Sequence, residues 1–107
     1  MLSWIYLGIA AVFEIGWPLG FKLAHLYPQG RIPAIAASVA AMALSGYFLY
    51  LAQRTIPIGT AYAVWTGIGA FVTVLIGIIF FEDPATLPRL ACLFAIMAGV
   101  IGLKLIG

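Results

Sequence analysis

Apolar runs of about twenty residues recur four times along the chain, at about 2–21, 33–53, 56–81 and 87–106, and the breaks between them hold nearly all the charge and most of the proline. A helix crossing the hydrocarbon core of a bilayer needs about 20 predominantly apolar residues. The pattern therefore predicts an all-α membrane protein, four transmembrane helices forming one domain over residues 1–107. The first break, Lys22 to Ile32, brings Lys22, His25, Pro28, Gln29, Gly30 and Arg31, which combine turn chemistry with water-seeking groups. The second is Gln53-Arg54-Thr55-Ile56-Pro57, with Pro57 suited to the first turn of the next helix. The third, Glu82-Asp83-Pro84-Ala85-Thr86-Leu87-Pro88-Arg89, is the most polar of all. Links this short make neighbouring helices antiparallel and put both termini on one side.

Composition narrows the class further. The chain is 65% apolar, carries eight charged side chains, and has a mean hydropathy of +1.20. A soluble domain has about 45–50% apolar and about 25% charged residues, so there is too little polar surface here to coat a water-facing globule. The spans leave no room for an extramembrane enzyme, and a net charge of +2 spread along the chain offers no basic patch for nucleic acid. The lone Cys92 cannot form an intrachain disulfide and has no partner cysteine for a metal site, so no metal or other cofactor is expected. The first run lacks a basic leader and contains a glutamate, which argues against a cleaved signal peptide. Basic residues near the span ends nearly balance: Lys22, Arg31 and Arg89 flank the first and third links, Arg54 and Lys104 the second link and the C-terminal end. A tally of three against two gives the positive-inside rule little to act on. Two outcomes stay open, insertion both ways up with pairing as an antiparallel, dual-topology dimer, or a single orientation set by folding or lipid.

One residue stands out inside the spans. Glu14 lies near the depth of the bilayer midplane, whereas Glu82 and Asp83 lie in a link. An ionisable group at that depth costs about 2.5–3.5 kcal/mol on insertion scales, which makes Glu14 a functional candidate; the bland reading is a protonated carboxyl bonding helix to helix. No basic residue shares the spans' interior, and Lys22 is roughly 12 Å away along a helix rising 1.5 Å per residue. The missing counter-charge must come from outside, as a proton or a cationic substrate. Competition between those two for one carboxylate is the minimal chemistry of a proton-coupled exporter. A chain this small cannot readily form a pathway gated on two sides, so a dimer with two facing Glu14 carboxylates is expected.

The surroundings fit a small cation site. Trp17 shares the face of Glu14, Ala10 and Ala11 leave space before it, and Pro18 removes the amide that would bond the Glu14 carbonyl, predicting a kink next to Gly16. In the second span Ser38, Met42 and Ser45 fall on one face; each serine equally well bonds its own helix. The third span holds the densest patch of polar, aromatic and small residues, with Tyr62, Trp65 and Gly69 on one face and Gly67 and Gly69 placed for a hinge, or simply for close packing. In the last span Ala95, Ala98, Gly99 and Gly102 fit the small-xxx-small pattern of close helix association and read as a dimer element.

Together these residues resemble the small multidrug resistance family, and within it the guanidinium exporters, over the whole chain. The most specific parts are Glu14-Ile15-Gly16-Trp17 and the block from Pro57 to Ala70, supported by Gly99-Val100-Ile101-Gly102-Leu103-Lys104. The resemblance implies a multi-pass protein of the bacterial inner membrane and an antiparallel homodimer in which guanidinium-type cations and protons compete for paired Glu14 carboxylates. Trp17 and Ser45 would then be its hydrogen-bond partners, and Tyr62 and Trp65 its lining and gating groups. Two departures stand against the family pattern: Gly16 and Pro18 replace a valine and an alanine, and the first link is one residue longer. The smaller Gly16 and the Pro18 kink predict a site that admits a substituted guanidine. A planar guanidinium gives a carboxylate two parallel N–H bonds and gains cation–π attraction from aromatic faces. The alternatives are a broad exporter of quaternary ammonium compounds, which offer no N–H, and a non-transporting small membrane subunit using Glu14 as a helix contact.

Overall fold

The computed structural model describes residues 2–106 and consists of four helices: α1 (Leu2–Leu26), α2 (Arg31–Ala52), α3 (Ile58–Phe80) and α4 (Leu87–Ile106). All four are long and apolar enough to cross a membrane. Helix ends differ from the sequence expectation, most at the first link, and α3 begins at Ile58, directly after Pro57 and not at residue 56. α1 continues past residue 21 to Leu26, and α2 begins at Arg31, so the first link shrinks to Tyr27 and a 3-10 turn at Pro28–Gly30. The polar residues of this stretch are helical because a helix does not have to stop at the lipid boundary; Lys22 and His25 lie within the C-terminal part of α1, with His25 in its last turn. α1 also runs unbroken through Pro18.

Small residues set the helix spacing. At Gly16 an added Cβ would stand 3.3 Å from the Ala41 Cβ, and at Gly20 it would stand 1.9 Å from the Ser38 Oγ, so α1 lies close against α2 along this face. Gly67 does the same for α3 and α4, where the added atom would be 2.4 Å from a methyl of Val100. In lipid, where burial of apolar surface gives no advantage over the tails, such close contact is a principal source of helix association.

The arrangement is an open slab of 45 × 35 × 16 Å. α1 packs chiefly on α2 and then on α3, while the backbone of α4 approaches α3 alone. Side chains identify the two ends of the slab. Thr55 donates to the Ser3 hydroxyl and the Lys104 ammonium lies over the Trp4 ring at 5.2 Å, which brings the second link and the α4 end to the start of α1. At the other end the Lys22 ammonium lies 5.8 Å from the centre of the Phe81 ring, joining the C-terminal part of α1 to the third link. The packed core sits toward the first of these ends: Leu7, Ala52, Ile56, Ala61, Val64 and Val100, with Trp4, Tyr6, Leu49, Trp65, Ile68 and Leu103 against it. Beyond Glu14 the α1–α3 seam opens into clefts.

Candidate functional site

Glu14 lies half-buried midway along α1 and accepts a hydrogen bond from the Trp17 indole Nε1 one turn later. The spacing of three residues places both side chains on one face, and Trp17 is braced edge-on by Phe21, ring centres 5.7 Å apart. Across the seam, α3 presents Gly69. A Cβ there would lie 2.8 Å from the Glu14 Cγ, so glycine leaves the space that the carboxylate stem occupies. The resulting cleft, about 220 Å³, is lined by Glu14, Trp17, Pro18, Thr66, Gly69, Ala70 and Thr73. Pro18 lacks an amide hydrogen, so the carbonyl of Glu14 has no partner four residues on.

Ser45 stands one turn away. It is 1% exposed, donates to the Ala10 carbonyl at 2.7 Å, and accepts from the Trp65 Nε1 at 2.8 Å. Ser45 thus ties α1, α2 and α3 together, and within one chain its hydroxyl bonds Ala10 and Trp65 and not the Glu14 carboxylate expected as its partner. The reason is register: its hydroxyl meets α1 at the Ala10 carbonyl, the acceptor for the Glu14 amide in a regular helix. Trp65, deep in its span, thereby finds the partner its N–H requires. Tyr62 packs on Trp65, ring centres 5.5 Å apart, but is 58% exposed and outside the Glu14 cleft.

The remaining expected residues divide. Pro18 and Gly69 border the cleft. Gly16 does not: two residues from Glu14 is about 200° around a helix of 3.6 residues per turn, and Gly16 faces Ala41 on α2. Gly67 faces α4, and α3 is continuous through both Gly67 and Gly69, so each glycine is a point of close approach in a regular helix. Ala95, Gly99 and Gly102 line an open groove with Ala63, Gly67 and Ala70 of α3, and Ala98 is exposed outside that lining. Thr73 was not anticipated. Its signal was available, since Thr66 and Thr73 are seven residues apart and so share the α3 face that holds Gly69.

Comparison with known proteins identifies the family of the chain. The family described as Small Multidrug Resistance protein matches residues 2–96. A guanidinium exporter of Yersinia pseudotuberculosis serotype I is 43% identical over 104 residues, covering 97% of this chain and 98% of the relative. Guanidinium exporters of Citrobacter freundii and Salmonella typhimurium are each 45% identical over 104 residues, with 97% of both chains covered.

Proposed function

Because the chain belongs to the small multidrug resistance family, a family of multi-pass bacterial inner-membrane transporters and not of enzymes, we propose that it is a proton-coupled antiporter exporting guanidinium or small substituted guanidinium cations. Protons and substrate compete for Glu14, and alternating access exchanges them across the membrane. The carrying observation is the half-buried Glu14 carboxylate, oriented by Trp17 and opening on the α1–α3 cleft. A planar cation presents two N–H groups to the carboxylate, and the Glu14 carbonyl, which Pro18 deprives of its amide partner four residues on, offers a third acceptor. The relatives named guanidinium exporters support this substrate class.

The site is half of a larger one. In a slab this thin, Tyr62 stays largely exposed and α4 leaves a groove of small residues uncovered. A second copy in the opposite orientation supplies the other half and brings two Glu14 carboxylates together, consistent with the near balance of basic residues.

The test is guanidinium uptake into proteoliposomes holding the purified chain, driven by a pH gradient. Glu14→Gln keeps the side-chain size and loses the exchangeable charge, so coupled uptake should fall to the level of empty liposomes while the protein stays folded. Undiminished coupled uptake by this variant would show that the proton is carried elsewhere.

A further inference from the structure

The cleft holding Glu14 does not end at Pro18. Pro18 and Thr73 also line a second cleft of about 180 Å³, which continues along the α1–α3 seam and is bordered by Lys22, Gly77, Phe81 and Asp83. Two side chains of opposite charge therefore face one opening, at the end of the slab formed by the first and third links.

Local structure fixes both of them. Glu82 adopts a left-handed backbone, φ 59°, and this turn lets the amides of Phe81 and Asp83 both donate to the Gly77 carbonyl at 3.0 Å. The Asp83 carboxylate then lies over Gly77, where a Cβ would stand 2.1 Å from its Oδ2. Lys22 is held with its ammonium over the Phe81 ring. Thr73 stands between the two clefts, four residues after Gly69, which touches Glu14, and four before Gly77, which seats Asp83. These α3 positions share a face, successive ones about 6 Å apart along the axis.

Given the reading of the chain as a guanidinium-class exporter, we propose that this seam is the water-side route to Glu14, with Asp83 the carboxylate that recruits the cation at its mouth and Lys22 the opposing charge that limits occupancy there. A fixed charge at a narrow mouth changes the local concentration of a mobile ion of opposite sign. Neither residue reaches Glu14, so both act on capture and not on the exchange step. Their effects have opposite signs, which a merely structural role does not produce.

Initial rates of guanidinium uptake by the full chain in proteoliposomes of uncharged lipid provide the test. At about 0.01 M salt, where the Debye length is about 30 Å, Asp83→Asn should raise KM at least about twofold with the maximal rate unchanged. Lys22→Gln should lower KM, and the double variant should return close to the wild-type value. Both single-variant shifts should shrink at about 0.15 M salt, where the Debye length is about 8 Å. Should Asp83→Asn disturb the turn over Gly77, Lys22→Gln alone still carries the test, because its lowered KM must be salt-sensitive. A wild-type KM in both single variants, shifts of the same sign, or a loss confined to the maximal rate would overturn the proposal. If the wild-type chain moves no guanidinium, the functional reading fails and takes this inference with it; wild-type transport with a charge-insensitive KM fails the inference alone.

Discussion

At the scale of single residues, the buried side-chain polar atoms of the described residues find partners, with one exception. Trp17 donates to Glu14, Trp65 to Ser45, Ser45 to the Ala10 carbonyl, and Thr66 to the Tyr62 carbonyl at 2.7 Å. The exception among buried side-chain atoms of the described residues is the Ser38 Oγ, tucked beside Gly20. Ser45→Ala would remove a donor and an acceptor at once, leaving the Trp65 N–H without its partner. Interhelical hydrogen bonds in membranes average about 0.6 kcal/mol, with a maximum of about 1.7; the loss here should fall in that range, measured by reversible unfolding in mixed detergent micelles. The same variant should retain measurable guanidinium binding, because Ser45 braces the helices without touching Glu14. Sequence alone made Glu14 and Trp17 legible, since a midplane acid and an aromatic one turn on need only helical spacing to be paired. Ser45 was legible as polar and inward but not in its partners, which depend on how far α2 slides along α1.

At the scale of helices, glycine positions carry the information that periodicity does not. Gly67 and Gly69 read as a hinge, with packing as the alternative, until their neighbours are known; Val100 faces one and the Glu14 stem the other. Gly16 and Pro18, the two departures from the family pattern, separate in the same way. Gly16→Val would drive a branched side chain against Ala41, where even a Cβ is already tight, and overpacking of this kind costs about 1–3 kcal/mol. Pro18→Ala would restore an amide to the Glu14 carbonyl at the cleft wall. In proteoliposome assays comparing guanidinium with singly substituted guanidines, Pro18→Ala should reduce transport of the substituted compounds more than that of guanidinium. Gly16→Val should lower stability and both rates together. Equal losses of both substrates in Pro18→Ala would remove Pro18 from substrate selection. Helix ends were the least legible feature, because the polar residues that mark the lipid boundary at Lys22 and His25 do not stop a helix that can extend into water.

At the scale of the whole molecule, one chain is a slab packed at the end where α1 begins and α4 finishes, and open on the far side of Glu14. Four spans were legible because bilayer thickness dictates their length; the slab was not, because an open or a closed bundle satisfies the same apolar pattern. Pairing of oppositely oriented copies is tested with a single cysteine at Gln29, exposed in the first link, in a Cys92→Ala background that removes the exposed native thiol. An impermeant thiol reagent should label part of the population from each side of the membrane, whereas complete protection from one side would exclude dual insertion. The central claim, that one carboxylate exchanges a proton for the cation, is tested most directly by proton release. When guanidinium is added to the purified protein in weakly buffered detergent solution, at a pH where Glu14 is partly protonated, the wild-type chain should release protons and acidify the medium. Its apparent affinity should fall as pH is lowered, because protons then occupy the site, and Glu14→Gln should release none. Binding of guanidinium without proton release, or equal release from wild type and Glu14→Gln, would contradict the account.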